Sequence, residues 1–355
     1  MSGAVFAIPG RLDTPTGGYE YARRLLAEAG RERYHLAHWP LPPLGLAPDG
    51  AAIDGVAERL ARAPAGWPML IDGLAGGVLP AALFAELGGP VVALCHHPLA
   101  LETGIDTALA ERLRESERAM LAAASAVITT SAATAGILAR DFGVEPDRIT
   151  VAPPGTERPE PRPACLAREG REEVWLLAVG TLSPRKGHDV LLEALATLPR
   201  EGWRLTILGA ADLDPDHAAH LEARAEALGL TERVRFRGAA DRETLEDHYA
   251  RADLFVLASR YEGYGMAYTE AMARGLPVLG SEVGAVREAT LDAALLVPPG
   301  DPEALAAALS RLIGSVEERR ALAERCRAAA ARLPRWSDTW RQVATTLDAV
   351  RADGP

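Results

Sequence analysis

The chain is expected to fold as two doubly wound α/β halves, and three observations carry that expectation. Short apolar runs alternate with helix-patterned segments along its length. Most of these runs lead into polar or glycine- and proline-containing loops, as parallel strands of βαβ units do. A proline-rich stretch breaks the alternation near the middle, and 355 residues are more than one typical core holds.

In the first half the apolar runs at 5–8, 69–71, 91–95 and 126–129 read as strands, with helical patterns at 19–29, 53–63 and 108–124 between them. Between Pro153 and Pro163 five prolines fall in eleven residues, which stiffens the chain and excludes a helix interior. The interdomain linker is therefore placed there, with an amino-terminal domain over 1–155 and a carboxyl-terminal domain over 156–335. The second half repeats the pattern, with strands at 174–179, 205–208, 234–236, 254–257, 278–279 and 294–297. In doubly wound sheets ligands sit outside the carboxyl ends of strands, so the strand-to-helix loops are where chemistry belongs.

Composition removes several function classes. Hydrophobic residues at 48% and charged residues at 25% are ordinary for a globular protein. A formal net charge of −11 without a strong basic patch disfavours nucleic acid as a partner. Cys95, Cys165 and Cys326 lack metal-like spacing and fit a reducing compartment better than a disulfide framework, so a cytoplasmic location is expected. Residues 1–10 do not read as a signal peptide, and no run reaches the length of a membrane span.

Two loops carry most of the functional signal. After the strand at 254–257, Glu262 and Glu270 stand eight residues apart, with Gly263 and Gly265 between Glu262 and a helix start. The glycines admit close approach of a ligand, and carboxylates are acceptors suited to a polyol. After the strand at 174–179 comes Gly180-Thr181-Leu182-Ser183-Pro184-Arg185-Lys186-Gly187, where a glycine turn, a helix start and two cations together form a phosphate site. The order is not that of a P-loop. Gly17 and Gly18, after the first strand, form a third glycine turn before a helix, able to face a diphosphate. Read singly, each loop also fits a solvated turn or an ordinary helix start.

Taken together, in this order and spacing, the loops resemble those of the GT-B nucleotide-sugar glycosyltransferases, specifically the retaining group called family 4. Loop 180–187 is similar to the family's Gly-x-Ser-x-x-Lys-Gly segment, with Leu182 inserted before Ser183, and 262–270 matches its Glu-x7-Glu motif. Ala271-Met272-Ala273-Arg274-Gly275-Leu276-Pro277-Val278 also looks like the family. The resemblance implies two Rossmann-like domains facing a central cleft, acceptor bound by the first and donor by the second. It also implies that the terminal helix at 336–351 packs back on the first.

The resemblance further assigns roles. Arg185 and Lys186, in the loop carrying Gly180 and Ser183, would hold the donor diphosphate and neutralise the charge that develops as it leaves. Glu270 would accept from ribose hydroxyls and Glu262 from hydroxyls of the transferred sugar, with Tyr264, Gly265 and Met266 presenting N–H groups. Phe236 and Arg237 fall where the family reads the base, and His96 or His97 where it places a histidine near the anomeric carbon. The implied reaction moves a sugar, UDP-linked by family frequency, to a hydroxyl acceptor in glycan, glycolipid or metabolite biosynthesis. No cofactor or metal is implied. The Asp212, Asp214 and Asp216 spacing resembles a cation motif of another glycosyltransferase class, but a helix cap before Pro215 explains it.

Arg23, Arg24, Arg31 and Arg33 with Tyr34 and Trp39 offer a membrane-facing patch for a lipid-linked acceptor, although Glu20, Glu28 and Glu32 interleave as on a solvated helix face. Alternative readings are a nucleotide-sugar epimerase of the same fold, a non-catalytic nucleotide-sugar-binding protein, and a glycosidase using the two glutamates as acid and nucleophile.

Overall fold

The computed structural model describes residues 3–158 and 173–352; Cys165 and the later part of the expected linker, 159–163, lie outside the described residues. The chain divides into two units, one of Met1–Gly155 with Pro334–Pro355, the other of Thr156–Leu333.

The first unit runs β1 (Gly3–Pro9), α1 (Gly17–Arg31), β2 (His35–Leu41), α2 (Gly50–Ala61), β3 (Met69–Asp72), α3 (Gly73–Gly76) and α4 (Ala81–Ala85). It continues with β4 (Val91–Cys95), α5 (Thr107–Ala123), β5 (Ala126–Thr129), α6 (Ala132–Phe142) and β6 (Ile149–Val151). The second runs β7 (Val174–Val179), α7 (His188–Ala196), β8 (Trp203–Leu208), α8 (Pro215–Ala227), β9 (Val234–Phe236), α9 (Arg242–Arg251) and β10 (Leu254–Leu257). Then follow α10 (Met266–Ala273), β11 (Val278–Ser281), α11 (Val286–Ala289), β12 (Leu295–Val297), α12 (Pro302–Gly314) and α13 (Val316–Ala330). The last helix, α14 (Trp336–Ala352), belongs to the first unit.

Each unit holds one six-stranded parallel sheet. The orders are β2-β1-β3-β4-β5-β6 and β12-β11-β10-β7-β8-β9. Central strands are buried along their length, as β1, β4 and β10 show, because helices cover both faces of such a sheet. The two strands that apolar runs did not reveal, β2 and β6, are both sheet edges. β2 carries His35, His38 and Pro40 and is half-exposed, and an edge strand tolerates a proline that a central one does not. β6 has three half-buried residues.

Each unit has its own core. One gathers Val5, Met69, Ile71, Val127 and Leu138, and the other Trp203, Leu205, Phe255, Tyr268 and Leu279. The α14 helix joins the first unit by aromatic and polar contacts. Trp336 meets the Tyr21 ring edge-on at 5.7 Å and Trp340 meets Tyr34 at 5.1 Å. The Thr339 hydroxyl donates to Pro153 O at 2.6 Å, and Arg351 donates to Gly3 O at 2.9 Å. Among the described residues no helix is long and apolar enough to cross a membrane.

Candidate active site

In each sheet the chain reverses its direction of spread at one place, and in doubly wound folds ligands bind beyond the strand ends there. In the second unit that place is between β7 and β10, the two strands whose loops hold 180–187 and 262–270. The first loop ends in a short turn, Pro184–Lys186, then Gly187 at φ +62°, then α7. A side chain at Gly187 would be strained by its backbone and would collide with the carbonyl oxygen of Ala258, so glycine lets the two loops touch. Arg260 then ties them together: its N–H donates to Arg185 O at 2.8 Å, and its guanidinium to Pro184 O at 2.7 Å and to Asp189 Oδ2 at 2.6 Å.

That closure brings Lys186 to Glu262. The ammonium stands 2.7 Å from Glu262 Oε1, which also accepts from the Ser259 hydroxyl at 2.7 Å, and Arg185 Nη1 is 3.5 Å from Oε2. Arg185 Nη1 also donates to Tyr261 O at 3.2 Å. The stem of Lys186 lies against Gly180, where an added Cβ would meet it at 3.1 Å. Glu262 is buried. Burial alone would raise its pKa, but Lys186, Arg185 and the hydrogen bonds outweigh it and hold the carboxyl below the usual carboxylate range. Sequence reasoning gave the cations to a diphosphate and the carboxylate to a sugar as separate duties; the structure adds that they hold one another. Under the same loop His188 is fully buried, its pKa brought down to about 4 by burial, and its Nε2 stands 3.2 Å from Thr181 O. Ser183 precedes the turn with its hydroxyl 3.3 Å from that of Thr181.

The second loop enters α10 through Gly265, whose φ of +106° is open to glycine and strained for other residues. Tyr264 is buried, and Met266 is the first helical residue. Glu270, one turn along, accepts from the Tyr249 hydroxyl at 3.2 Å. Phe236 ends the edge strand β9 and is half-buried against the core. Arg237 follows it, exposed, its N–H on Ile207 O at 3.0 Å.

In the first unit the reversal lies between β1 and β3. Gly17 and Gly18 open α1, and a Cβ on Gly18 would sit 3.5 Å from the His96 ring, so glycine and histidine share one site. His96 also meets the Tyr21 ring edge-on at 5.2 Å, and its Nε2 is 3.5 Å from Asp72 Oδ2 at the end of β3. His97 turns elsewhere, with Nε2 3.1 Å from Glu102. The adjacent pair is thereby separated by geometry. Behind them Glu117 on α5, buried, accepts from Leu99 N at 2.6 Å and Ala100 N at 3.0 Å and fixes the turn that follows the histidines. Burial pushes its carboxyl up to about 7, against the lowering effect of those two N–H donors.

Helix starts mark both sites. Among described helices of eight or more residues with a defined N-cap, α1, α7 and α10 receive no side-chain bond from that cap. The others are capped by Asp49, Asp106, Ser131, Asp214, Asp241, Asp301 and Ser315. Helix starts without a cap are where backbone N–H groups and the dipole receive anions. In α7, Asp189 in the first turn takes part of that role. Asp214, by contrast, spends its carboxylate on His217 N at 3.1 Å, and Asp212 precedes that cap. Three arginines of the patch are held by ion pairs, Arg23 and Arg24 on Glu20 and Arg31 on Glu28, while Trp39 lies under Arg59 at 4.2 Å. Arg260, Ser259, Tyr249, Asp72 and Glu117 were missed by sequence reasoning. Only Ser259 and Arg260 had a signal, standing in the same loop as Glu262.

Two outcomes are expected. Glu262→Ala leaves a largely buried ammonium without its carboxylate and lowers unfolding free energy by about 3 kcal/mol, while Lys186→Met/Glu262→Leu recovers most of the loss, both read by urea denaturation. Glu117 binds its proton more tightly folded, at about 7, than at its ordinary 4.5. Its contribution therefore favours folding below that window and is lost as pH rises through it; Tm against pH should fall more steeply in the wild type than in Glu117→Gln.

Known proteins share this framework. Residues 70–158 match the family described as Glycosyltransferase Family 4, and residues 167–329 the one described as Glycosyl transferases group 1. Over 230 residues the chain is 35% identical to a D-inositol 3-phosphate glycosyltransferase of Xylanimonas cellulosilytica, covering 61% of this chain and 55% of that protein. The chain thus spans little more than half the length of that relative. Sucrose-phosphate synthase from Thermosynechococcus elongatus has the same fold, with a TM-score of 0.83 at 23% identity over 99% of this chain and 100% of that one. So does Anabaena HepE, solved in complex with UDP-glucose, with a TM-score of 0.78 at 19% identity over 98% and 100%. On these matches, and on the two glycine loops that meet at Lys186 and Glu262, the chain belongs to the glycosyl transferases group 1, the family 4 glycosyltransferases of GT-B fold.

Proposed function

We propose that the protein transfers a sugar from a nucleoside-diphosphate sugar, UDP-linked, to a hydroxyl acceptor, with retention at the anomeric carbon. The observation that carries this reading is Lys186 on Glu262 at 2.7 Å, with Arg185 beside it, where the sheet of the second unit reverses. An ammonium has three donors, so Lys186 can keep Glu262 and still reach a phosphate oxygen. Arg185 and Lys186 then face the diphosphate, Glu262 and the start of α10 face the sugar hydroxyls, and Glu270 faces the ribose. In the first unit, His96 is the one of the two histidines gathered with Gly18 and Asp72.

Retention follows if the acceptor attacks the face that the diphosphate is leaving. The bond from the anomeric carbon to the phosphate oxygen breaks, the new bond to the acceptor oxygen forms on the same side, and the departing phosphate oxygen takes the acceptor's proton. No protein base is needed. The charge that grows on the leaving group is the largest electrostatic demand, and preorganised cations meet it best in a desolvated site. Neutralisation is assigned to Arg185 and Lys186 in place of a metal ion, so chelator should leave the rate unchanged. The acceptor is assigned no further than a hydroxyl of a glycan, glycolipid or small metabolite.

A thermal-shift panel of nucleoside diphosphates and their sugars tests the donor. UDP and UDP-glucose head that panel, because HepE is solved in complex with UDP-glucose. With the donor in hand, Lys186→Ala should lower kcat at saturating donor by about 100- to 1,000-fold, the loss typical of removing one such donor. An unchanged kcat would refute the assignment.

A further inference from the structure

We propose that Tyr249 is a positioning residue that fixes Glu270 for the hydroxyls of the nucleotide ribose. The inference rests on the reading above that Glu270 receives the ribose, and it adds a residue that neither loop motif contains. Tyr249 lies on α9, outside both loops, and is 1% exposed. Its hydroxyl donates to Glu270 Oε2 at 3.2 Å. The ring is packed between neighbours. Phe255 of β10 stacks on it at 6.4 Å, and the Arg274 guanidinium lies over it at 4.4 Å from the ring centre.

Arg274 is itself fixed. Its Nε donates to Glu246 Oε2 at 2.9 Å with a second contact to Oε1, and its Nη1 donates to the carbonyl of Glu270 at 2.8 Å. The backbone and the side chain of Glu270 are thus gripped by two members of one stacked pair. Burial pushes the Tyr249 hydroxyl well above its ordinary range, with the Glu270 charge adding to the effect, so it stays a donor at every working pH. A carboxylate offers about four acceptor positions. A donor on one oxygen selects the side-chain rotamer before the nucleotide arrives, so the rotamer entropy is lost on folding and not on binding. Tyr249→Phe keeps the ring and its two stacking partners and removes only the donor.

The test is calorimetric titration of the full chain with UDP and with 2′,3′-dideoxy-UDP, and with the corresponding GDP pair. The wild type should bind the ribose form of its nucleotide at least tenfold more tightly than the dideoxy form. In Tyr249→Phe that preference should shrink about fivefold, the worth of one net hydrogen bond, with affinity for the dideoxy form unchanged. Glu270→Gln should lose the preference, and Tyr249→Phe added to it should do nothing more. Equal weakening of both nucleotides, or an undiminished preference in Tyr249→Phe, would overturn the role of Tyr249 while leaving Glu270 on the ribose. A wild type without any preference would overturn the ribose assignment itself, and failure to bind either pair would overturn the donor reading, each taking the proposal with it.

Discussion

Much of the second unit's site is arranged around one contact, the Lys186 ammonium on the buried carboxylate of Glu262. A cation and an anion taken out of water are each expensive, and their attraction repays that cost only when geometry is good and the remaining valences are filled. Here they are filled. Ser259 and Arg185 complete the carboxylate, and Gly180 leaves room for the lysine stem. The pair also requires two loops to be in contact, which is why Gly187 has no side chain and why Arg260 holds both loops at three acceptors. Remove the contact, and the glycine turn, the arginine tie and the neutral buried His188 beneath them lose their common reason.

The second constraint is topological. A doubly wound sheet opens a crevice where its strand order reverses, and both units place their glycine helix starts there. Among the described helices of eight or more residues with a defined N-cap, the three that begin at those places are also the ones whose N-cap residue does not bond back to the helix. A cap adds about 1 kcal/mol to a helix, and the seven other described helices of that length with a defined N-cap have one. Its omission at α1, α7 and α10 gives up stability at the points where backbone N–H groups and a helix dipole can meet an anion.

These two constraints explain what sequence could and could not reveal. Central strands announce themselves as apolar runs because both faces are covered, and 91–95, 126–129, 174–179 and 254–257 coincide with strands residue for residue. The edges β2 and β6 are half-solvated and lack the pattern. Lys186, Glu262 and Glu270 were legible because glycine spacing flags a loop that approaches something closely. Asp72, Glu117 and Tyr249 were not, because each acts across a long sequence separation. Glu117 reaches the turn after His97 from 17 and 18 residues away, and Tyr249 reaches Glu270 from 21. Nothing local marks such residues; only folding brings them to the place where they act. The histidine pair needed the fold for a different reason. Neighbours in sequence point apart, and Gly18 and Asp72 select His96 while Glu102 takes His97.

The same electrostatics argues against the two glutamates as a hydrolytic pair. A glycosidase needs one carboxylic acid that keeps its proton near neutral pH and gives it to the leaving oxygen, which requires a raised pKa. Burial would raise Glu262, but two cations and a serine hydroxyl drive it below its ordinary value, so it is ionised wherever the protein is folded and active. An ionised carboxylate locked to a lysine has no proton to donate. Glu270 is held in turn by a tyrosine that never gives up its own proton to it at working pH. What remains for these carboxylates is to accept hydrogen bonds and, for Glu262, to hold a cation at a fixed distance, and that is what the proposed donor site asks of them.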